Sequence, residues 1–91
     1  MLAAIERLCM INSFTENVEG GRQVGELLAE EVAAIPVPKL WARRIASPSG
    51  RYAPHWFFGT QAAEASAEGA IAIVGHLDTV FPPGTFEGFT Y

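Results

Sequence analysis

Ala70-Ile71-Ala72-Ile73-Val74-Gly75-His76-Leu77-Asp78-Thr79-Val80-Phe81-Pro82 is the stretch whose reading decides the fold. Its first six residues are uninterrupted apolar and rich in β-branched side chains, the pattern of a strand covered on both faces. Chemistry-bearing residues follow at once. In α/β sheets, ligands and catalytic groups sit beyond the carboxyl ends of strands. If the chain stays extended, His76 and Asp78 point to the same side, because strand side chains repeat every second residue. That geometry suits a metal-binding imidazole with a carboxylate behind it. One ring nitrogen faces the metal, and the other donates its N–H to the carboxylate, which fixes tautomer and ring orientation. Asp78 is also the sole aspartate of the chain. On spacing alone, His-x-Asp is a weak signal, and a strand-end histidine bonded to a turn-forming aspartate is the favoured reading.

Working outward, Leu2 to about Phe14 places Leu2, Ile5, Leu8 and Cys9 at helical spacing, with Cys9 expected on the buried side. Asn12 to Gly21 is polar and rich in turn formers, and Gly20-Gly21 reads as a break. A second helix is expected from about Arg22 to Ala34. Val24, Leu27, Leu28 and Val32 form its apolar stripe, and Glu26, Glu30 and Glu31 fall mostly on the wet side. Ile35-Pro36-Val37-Pro38 ends it, because proline cannot continue the helix and biases its predecessor toward extended geometry. Strand candidates follow at Lys39 to Ala46, His55 to Thr60 and Ala70 to Gly75. Ser47-Pro48-Ser49-Gly50 is a turn between the first two, and Gln61 to Gly69 is a loop or single helical turn between the last two. Two helices followed by about three strands define an α/β class. A strand buried on both faces needs helices on both sides and neighbours at both edges. Two helices and three strands hardly supply these, so the chain reads as part of a larger sheet.

Composition narrows the function. Ninety-one residues make one domain at most, with a thin stability margin. Nearly half the residues are apolar and 18% are charged, which favours a folded core over disorder. A net charge of -4 and dispersed basic residues give no footprint for nucleic acid, so no nucleic-acid partner is expected. The single cysteine excludes an intrachain disulfide. No apolar run is long enough for a membrane helix and no secretory signal stands at the start, so the expected location is cytoplasmic, without a membrane partner.

The neighbours of His76 and Asp78 sharpen the motif. Gly-His-Leu-Asp-Thr-Val-Phe-Pro (75–82) after an apolar strand resembles the first zinc-binding signature of a di-zinc metallopeptidase family. That family contains glutamate carboxypeptidase, acetylornithine deacetylase and succinyl-diaminopimelate desuccinylase. Upstream, Ser13, Thr15, Asn17, Glu19-Gly20, Val24-Gly25 and Leu28 look like the family's opening helix, loop and second helix. Downstream, Pro83-Gly84-Thr85-Phe86-Glu87-Gly88-Phe89 is similar to the segment leading to its next metal ligand. The likeness covers nearly the whole chain and is strongest from Ile71 to Phe89.

This resemblance implies a three-layer α/β/α catalytic domain, of which residues 1–91 would be the N-terminal part. It implies a hydrolase, an aminoacylase or carboxypeptidase, cleaving amide bonds of N-acyl amino acids or small peptides. His76 would be a ligand to one of two zinc ions (cobalt being a substitute), and Asp78 a catalytic-site carboxylate that holds its ring. The bridging aspartate, the adjacent glutamates, the further acidic ligand, the late histidine and the lid domain that mediates homodimers would all lie outside these residues. This piece alone is therefore expected to be inactive. The alternative is a non-catalytic association module that pairs through an exposed sheet edge.

Other residues read more plainly. His55 precedes an aromatic strand and matches no family ligand, and Glu87 reads as a solvated loop charge. Arg43-Arg44 fits an exposed strand face. Trp56-Phe57-Phe58 fits core or sheet-edge packing, without the interleaved basic residues a base-stacking platform needs.

Overall fold

The computed structural model describes residues 2–60, 69 and 71–85. Within them lie two helices, α1 (Leu2–Cys9) and α2 (Val18–Ala33), and two strands, β1 (Trp41–Ile45) and β2 (His55–Gly59). The mixed α/β class is therefore present at the coarse level. No helix among the described residues is long and apolar enough to cross a membrane.

Helix α2 organises the packing. It begins at Val18, four residues before the expected start, because Asn17 caps it. The Asn17 side-chain carbonyl accepts from the Gly20 N–H at 3.1 Å, satisfying one of the donors a helix N-terminus leaves unpaired. Gly20-Gly21, expected as a break, therefore lies inside the helix. The two glycines serve close approach instead. A Cβ on Gly20 would collide with the Asn12 carbonyl oxygen, and one on Gly21 would stand 2.6 Å from the Ala53 side chain. One turn on, a Cβ on Gly25 would stand 2.8 Å from Trp56 Cδ1. The glycine row is thus the groove into which the 53–56 segment fits. Val24 is the buried hydrophobic residue of the described core, and Leu27, Leu28 and Val32 are half-buried as their spacing requires. On the outer face Arg22 pairs with both Glu19 and Glu26. The Arg22 guanidinium holds the Glu19 carboxyl down at about 2, and an anion in the first turn complements the helix dipole. The helix ends where the prolines dictate, with the Ala34 and Ile35 N–H groups closing on Glu30 and Val32 carbonyls at 3.2 and 3.0 Å.

Helix α1 is shorter than the spacing predicted, stopping at Cys9, and buries no residue completely. Cys9 is exposed, not buried as its helical spacing suggested. The reason lies in what faces α1. Its link to α2 includes the exposed pairs Arg7–Glu30 at 3.4 Å and Arg7–Glu31 at 3.7 Å, and such pairs contribute about 0–1 kcal/mol.

Strands β1 and β2 form an antiparallel hairpin in the register Trp41↔Gly59, Arg43↔Phe57 and Ile45↔His55. One face, carrying Arg44 and Trp56, turns toward α2: Arg44 reaches Glu26 at 3.6 Å and Trp56 stacks on Phe58 at 5.9 Å. Arg43 and Arg44 are exposed on the strand as expected, with the Arg43 guanidinium over the Trp41 ring.

The third expected strand does not form. Residues 71–75 carry no regular secondary structure and belong to no ladder, and Ile71, Ile73 and Val74 are 92%, 95% and 89% exposed. A run of this composition becomes a covered strand only when both edges and both faces meet partners. The described elements place none against it. The expected loop or turn from 61 to 69 lies, apart from Gly69, outside the described residues, as do Ala70 and the downstream Phe86 to Phe89.

Gly20→Ala tests the packing account. In an open helix the change would gain about 1 kcal/mol from propensity, but here the new methyl meets backbone. A net destabilisation of about 1–3 kcal/mol is expected, read as a lower urea midpoint at unchanged slope. A higher midpoint would mean that the Asn12–Gly20 approach is not close.

Candidate functional site

The His-Leu-Asp motif hangs on one small parallel bridge. The Thr79 N–H donates to the Ser13 carbonyl at 2.9 Å, and the Thr15 N–H donates to the Thr79 carbonyl at 3.1 Å, flanking the Phe14↔Thr79 pair. The 13–15 loop is itself shaped by asparagines. Asn12 Oδ1 accepts from the Phe14 N–H at 3.1 Å, and Asn17 Nδ2 donates to the Asn12 carbonyl at 2.9 Å. Asn12 Nδ2 then reaches across to the Phe81 carbonyl at 3.1 Å. The same asparagine cluster therefore starts α2, turns the loop and grips the far side of the motif. Ser13, buried at 6% exposure, sits at its centre.

On this support the His76 and Asp78 side chains come together across a bend at Leu77. His76 Nδ1 lies 3.4 Å from Asp78 Oδ1, and the Thr15 hydroxyl donates to Asp78 Oδ2 at 2.7 Å. Leu77 is the half-buried residue of the arm and, like His76, lines both a cleft of about 710 Å³ and another of about 400 Å³. The aspartate is a bridge: a threonine holds one oxygen, and the histidine faces the other. The Thr15 hydroxyl holds the Asp78 carboxyl below its ordinary value of 3.8. Its own backbone N–H and the nearby imidazole act in the same direction, against partial burial. A hydrogen bond to the ionised form has this sign. The carboxylate is therefore anionic throughout the neutral range and ready to accept from Nδ1–H. With the proton on Nδ1, the lone pair of Nε2 is free, on an imidazole whose side chain is 88% exposed.

The order Thr15–Asp78–His76 excludes one chemistry. In a nucleophilic triad the hydroxyl gives its proton to the imidazole, which the carboxylate orients. Here the hydroxyl is spent on the carboxylate and also lies 3.2 Å from the Thr79 carbonyl. Thr15 positions; it does not attack.

His76 and Asp78 thus stand together as a ligand–carboxylate pair would. His55 is exposed on β2 opposite Ile45 and lines the larger cleft along with His76. Glu87 lies outside the described residues. No cluster of three or more His, Cys, Asp or Glu that could hold a metal occurs among the described residues. The described residues bring together one imidazole and one carboxylate, fewer than the three or so protein ligands a zinc site needs. Sequence reading gave no role to Thr15 or Asn12, since their partners lie 63 and 69 residues away and no local periodicity links them. Comparison with protein families, curated proteins and solved structures finds no match to this chain.

Thr15→Val keeps the shape and removes the hydroxyl. The Asp78 carboxyl is expected to rise toward its ordinary value, whereas Thr15→Ser keeps it low, both followed by carboxyl carbon NMR during acid titration. A depressed folded-state carboxyl stabilises the fold above its ordinary value and loses that contribution as pH falls through the lowered one. The valine variant should accordingly lose stability at neutral pH relative to wild type and show a flatter acid limb. An unmoved Asp78 titration would show that the hydroxyl does not bear on the carboxylate.

Proposed function

We propose that the chain carries the first metal-ligand segment of a zinc-dependent amide hydrolase of the glutamate carboxypeptidase type. The three-layer α/β/α domain belongs to the same reading. The observation that carries it is the Thr15–Asp78–His76 relay at the end of an apolar arm, inside a motif reading Gly-His-Leu-Asp-Thr-Val-Phe-Pro.

Each residue has a physical task in this reading. His76 offers Nε2 to the metal. Asp78 accepts from Nδ1–H, selects the tautomer and raises the basicity of the ring. Thr15 keeps Asp78 ionised and stops it rotating away. Leu77, half-buried, anchors the segment that carries the imidazole and the carboxylate. When bound, zinc lowers the pKa of a coordinated water and polarises a substrate carbonyl. The larger cleft, within the roughly 300–1,000 Å³ range of small-molecule sites, is lined by Trp56 and Phe57 together with His76 and Asp78. An N-acyl amino acid or small peptide suits that combination of apolar and polar lining.

One imidazole does not make a catalytic zinc centre, so the 91-residue chain by itself is expected to bind zinc weakly and to hydrolyse no amide substrate. Zinc titration followed by imidazole NMR should move His76 Nε2 ahead of the His55 nitrogens, and His76→Ala should abolish that response. Asp78→Ala should weaken it by about 10–100-fold, as loss of an orienting carboxylate does. Equal responses from both histidines, or a response insensitive to Asp78→Ala, would remove the site assignment. Zinc-dependent turnover by the chain alone would remove the incompleteness argument.

A further inference from the structure

Asn12 holds two distant segments at once. Its Oδ1 accepts from the Phe14 N–H at 3.1 Å and from Asn17 Nδ2 at 3.2 Å, and its backbone carbonyl accepts from the same Nδ2 at 2.9 Å. Its own Nδ2 donates to the Phe81 carbonyl at 3.1 Å. The acceptor half of the amide therefore shapes residues 13–15, and the donor half holds residue 81. Between these two grips lie the Thr15–Asp78 hydrogen bond and the Thr79 bridge. None of the Asn12 bonds goes to His76 or Asp78 themselves. Only a side chain that donates and accepts from one short branch fills both posts. An ionised aspartate has no donor for the Phe81 carbonyl, and glutamine carries its amide one methylene farther from the backbone. The partners also fix which way the amide points. Reversed, it would set an NH2 against the Phe14 N–H and one carbonyl against another.

We infer that Asn12 is a positioning residue for the His76–Asp78 pair, acting through Thr15 on one side and Phe81 on the other. The upstream route runs from Oδ1 to the Phe14 N–H, which fixes the loop that brings the Thr15 hydroxyl to Asp78. The downstream route runs from Nδ2 to the Phe81 carbonyl, which fixes the chain two residues past Thr79. Asp78 is thereby held from both directions along the chain, and the oxygen that faces His76 Nδ1 keeps its direction. Release of either grip lets the carboxylate turn, and Nδ1 then loses its preference for the proton. The consequence for metal binding rests on the zinc reading; the consequence for the imidazole tautomer does not.

Asn12→Asp separates the two routes. It keeps an acceptor for Phe14 and Asn17 and leaves the Asn17 cap of α2 in place, but it sets an ionised oxygen against the Phe81 carbonyl. In metal-free alkaline buffer, where imidazoles are neutral, side-chain nitrogen NMR of the 91-residue chain should show His76 protonated mainly on Nδ1. The ratio of Nδ1–H to Nε2–H should fall by about 2–10-fold in Asn12→Asp, the return of one ordinary hydrogen bond. Far-UV circular dichroism and the hairpin amide shifts should stay as they are. Asn12→Ser retains a short acceptor for the turn but does not span to Phe81, and should lower the ratio likewise without added charge. Ser49→Asp adds the same charge at the exposed turn between the strands and should leave the ratio unchanged. A wild-type His76 protonated mainly on Nε2, a ratio indifferent to both Asn12 substitutions, or one lowered equally by Ser49→Asp would each overturn the inference. So would a ratio that falls only when the hairpin shifts collapse with it. Zinc titration of the same samples keeps the two readings apart. A His76 that leads His55 equally in wild type and Asn12→Asp, with the ratio unmoved, would remove the positioning role and leave the zinc reading standing. A ratio that follows Asn12 with no zinc preference for His76 would support the positioning role and remove the zinc reading alone.

Discussion

Two backbone hydrogen bonds hold this molecule's functional reading together: Thr79 N–H to Ser13, and Thr15 N–H to Thr79. They join residues more than sixty positions apart, so they close a long loop for the net return of about 0.5–1.5 kcal/mol that an average hydrogen bond gives. Such a bridge survives only if its two sides are shaped beforehand. The asparagines do that shaping. Asn17 starts α2, its amide fixes the Asn12 carbonyl, and Asn12 both turns the 13–15 loop and reaches Phe81. Gly20 is the residue that lets these groups approach, because any Cβ there would overlap the Asn12 carbonyl. The start of a helix and the end of a distant arm are thus one cooperative unit.

That unit explains which parts of the fold were legible in the amino-acid sequence. The Val24, Leu27, Leu28, Val32 stripe and the Pro36–Pro38 stop are local signals, and α2 obeys them. Arg43-Arg44 and the turn at Ser47–Gly50 are equally local, and the hairpin follows. The beginning of α2 was read too late because Gly20-Gly21 carries two meanings. As isolated residues they break helices; beside a capping Asn17 and a backbone that must come close, they permit one. Cys9 failed for a related reason. Helical spacing identifies a face, but burial needs something packed against that face, and spacing is silent on this.

The apolar run after Gly69 was misread in a more instructive way. Its composition does specify a strand covered on both faces, but secondary structure of that type is a property of a sheet and not of a segment. Ile71, Ile73 and Val74 carry the preference without neighbours among the described residues to express it. Residue composition therefore stated what the segment would accept, and the surrounding chain determined what it received. The site behaves oppositely. His76 and Asp78 stand two residues apart, so their approach to 3.4 Å is a local matter, made across a bend at Leu77 and not along the extended strand that was expected. The part played by Thr15 is not local, since its hydroxyl reaches Asp78 only through the long bridge.

The consequence is a division of labour along eleven residues. From Gly75 to Phe81 the chain is tied by Leu77, Asp78, Thr79 and the Phe81 carbonyl. From Ile71 to Val74 it is tied by nothing described. Order at the first part cannot depend on the second, because bare β-branched residues contribute no packing. The imidazole is therefore oriented from below, by Asp78 and Thr15, and not from the strand that leads to it. An orienting carboxylate fixed by its own donor keeps its direction even when the metal-facing side of the ring is open to water. Such a pair can present one correctly directed nitrogen before any other ligand arrives. In the proposed zinc reading, this preorganisation is what the segment would contribute to the metal's coordination sphere.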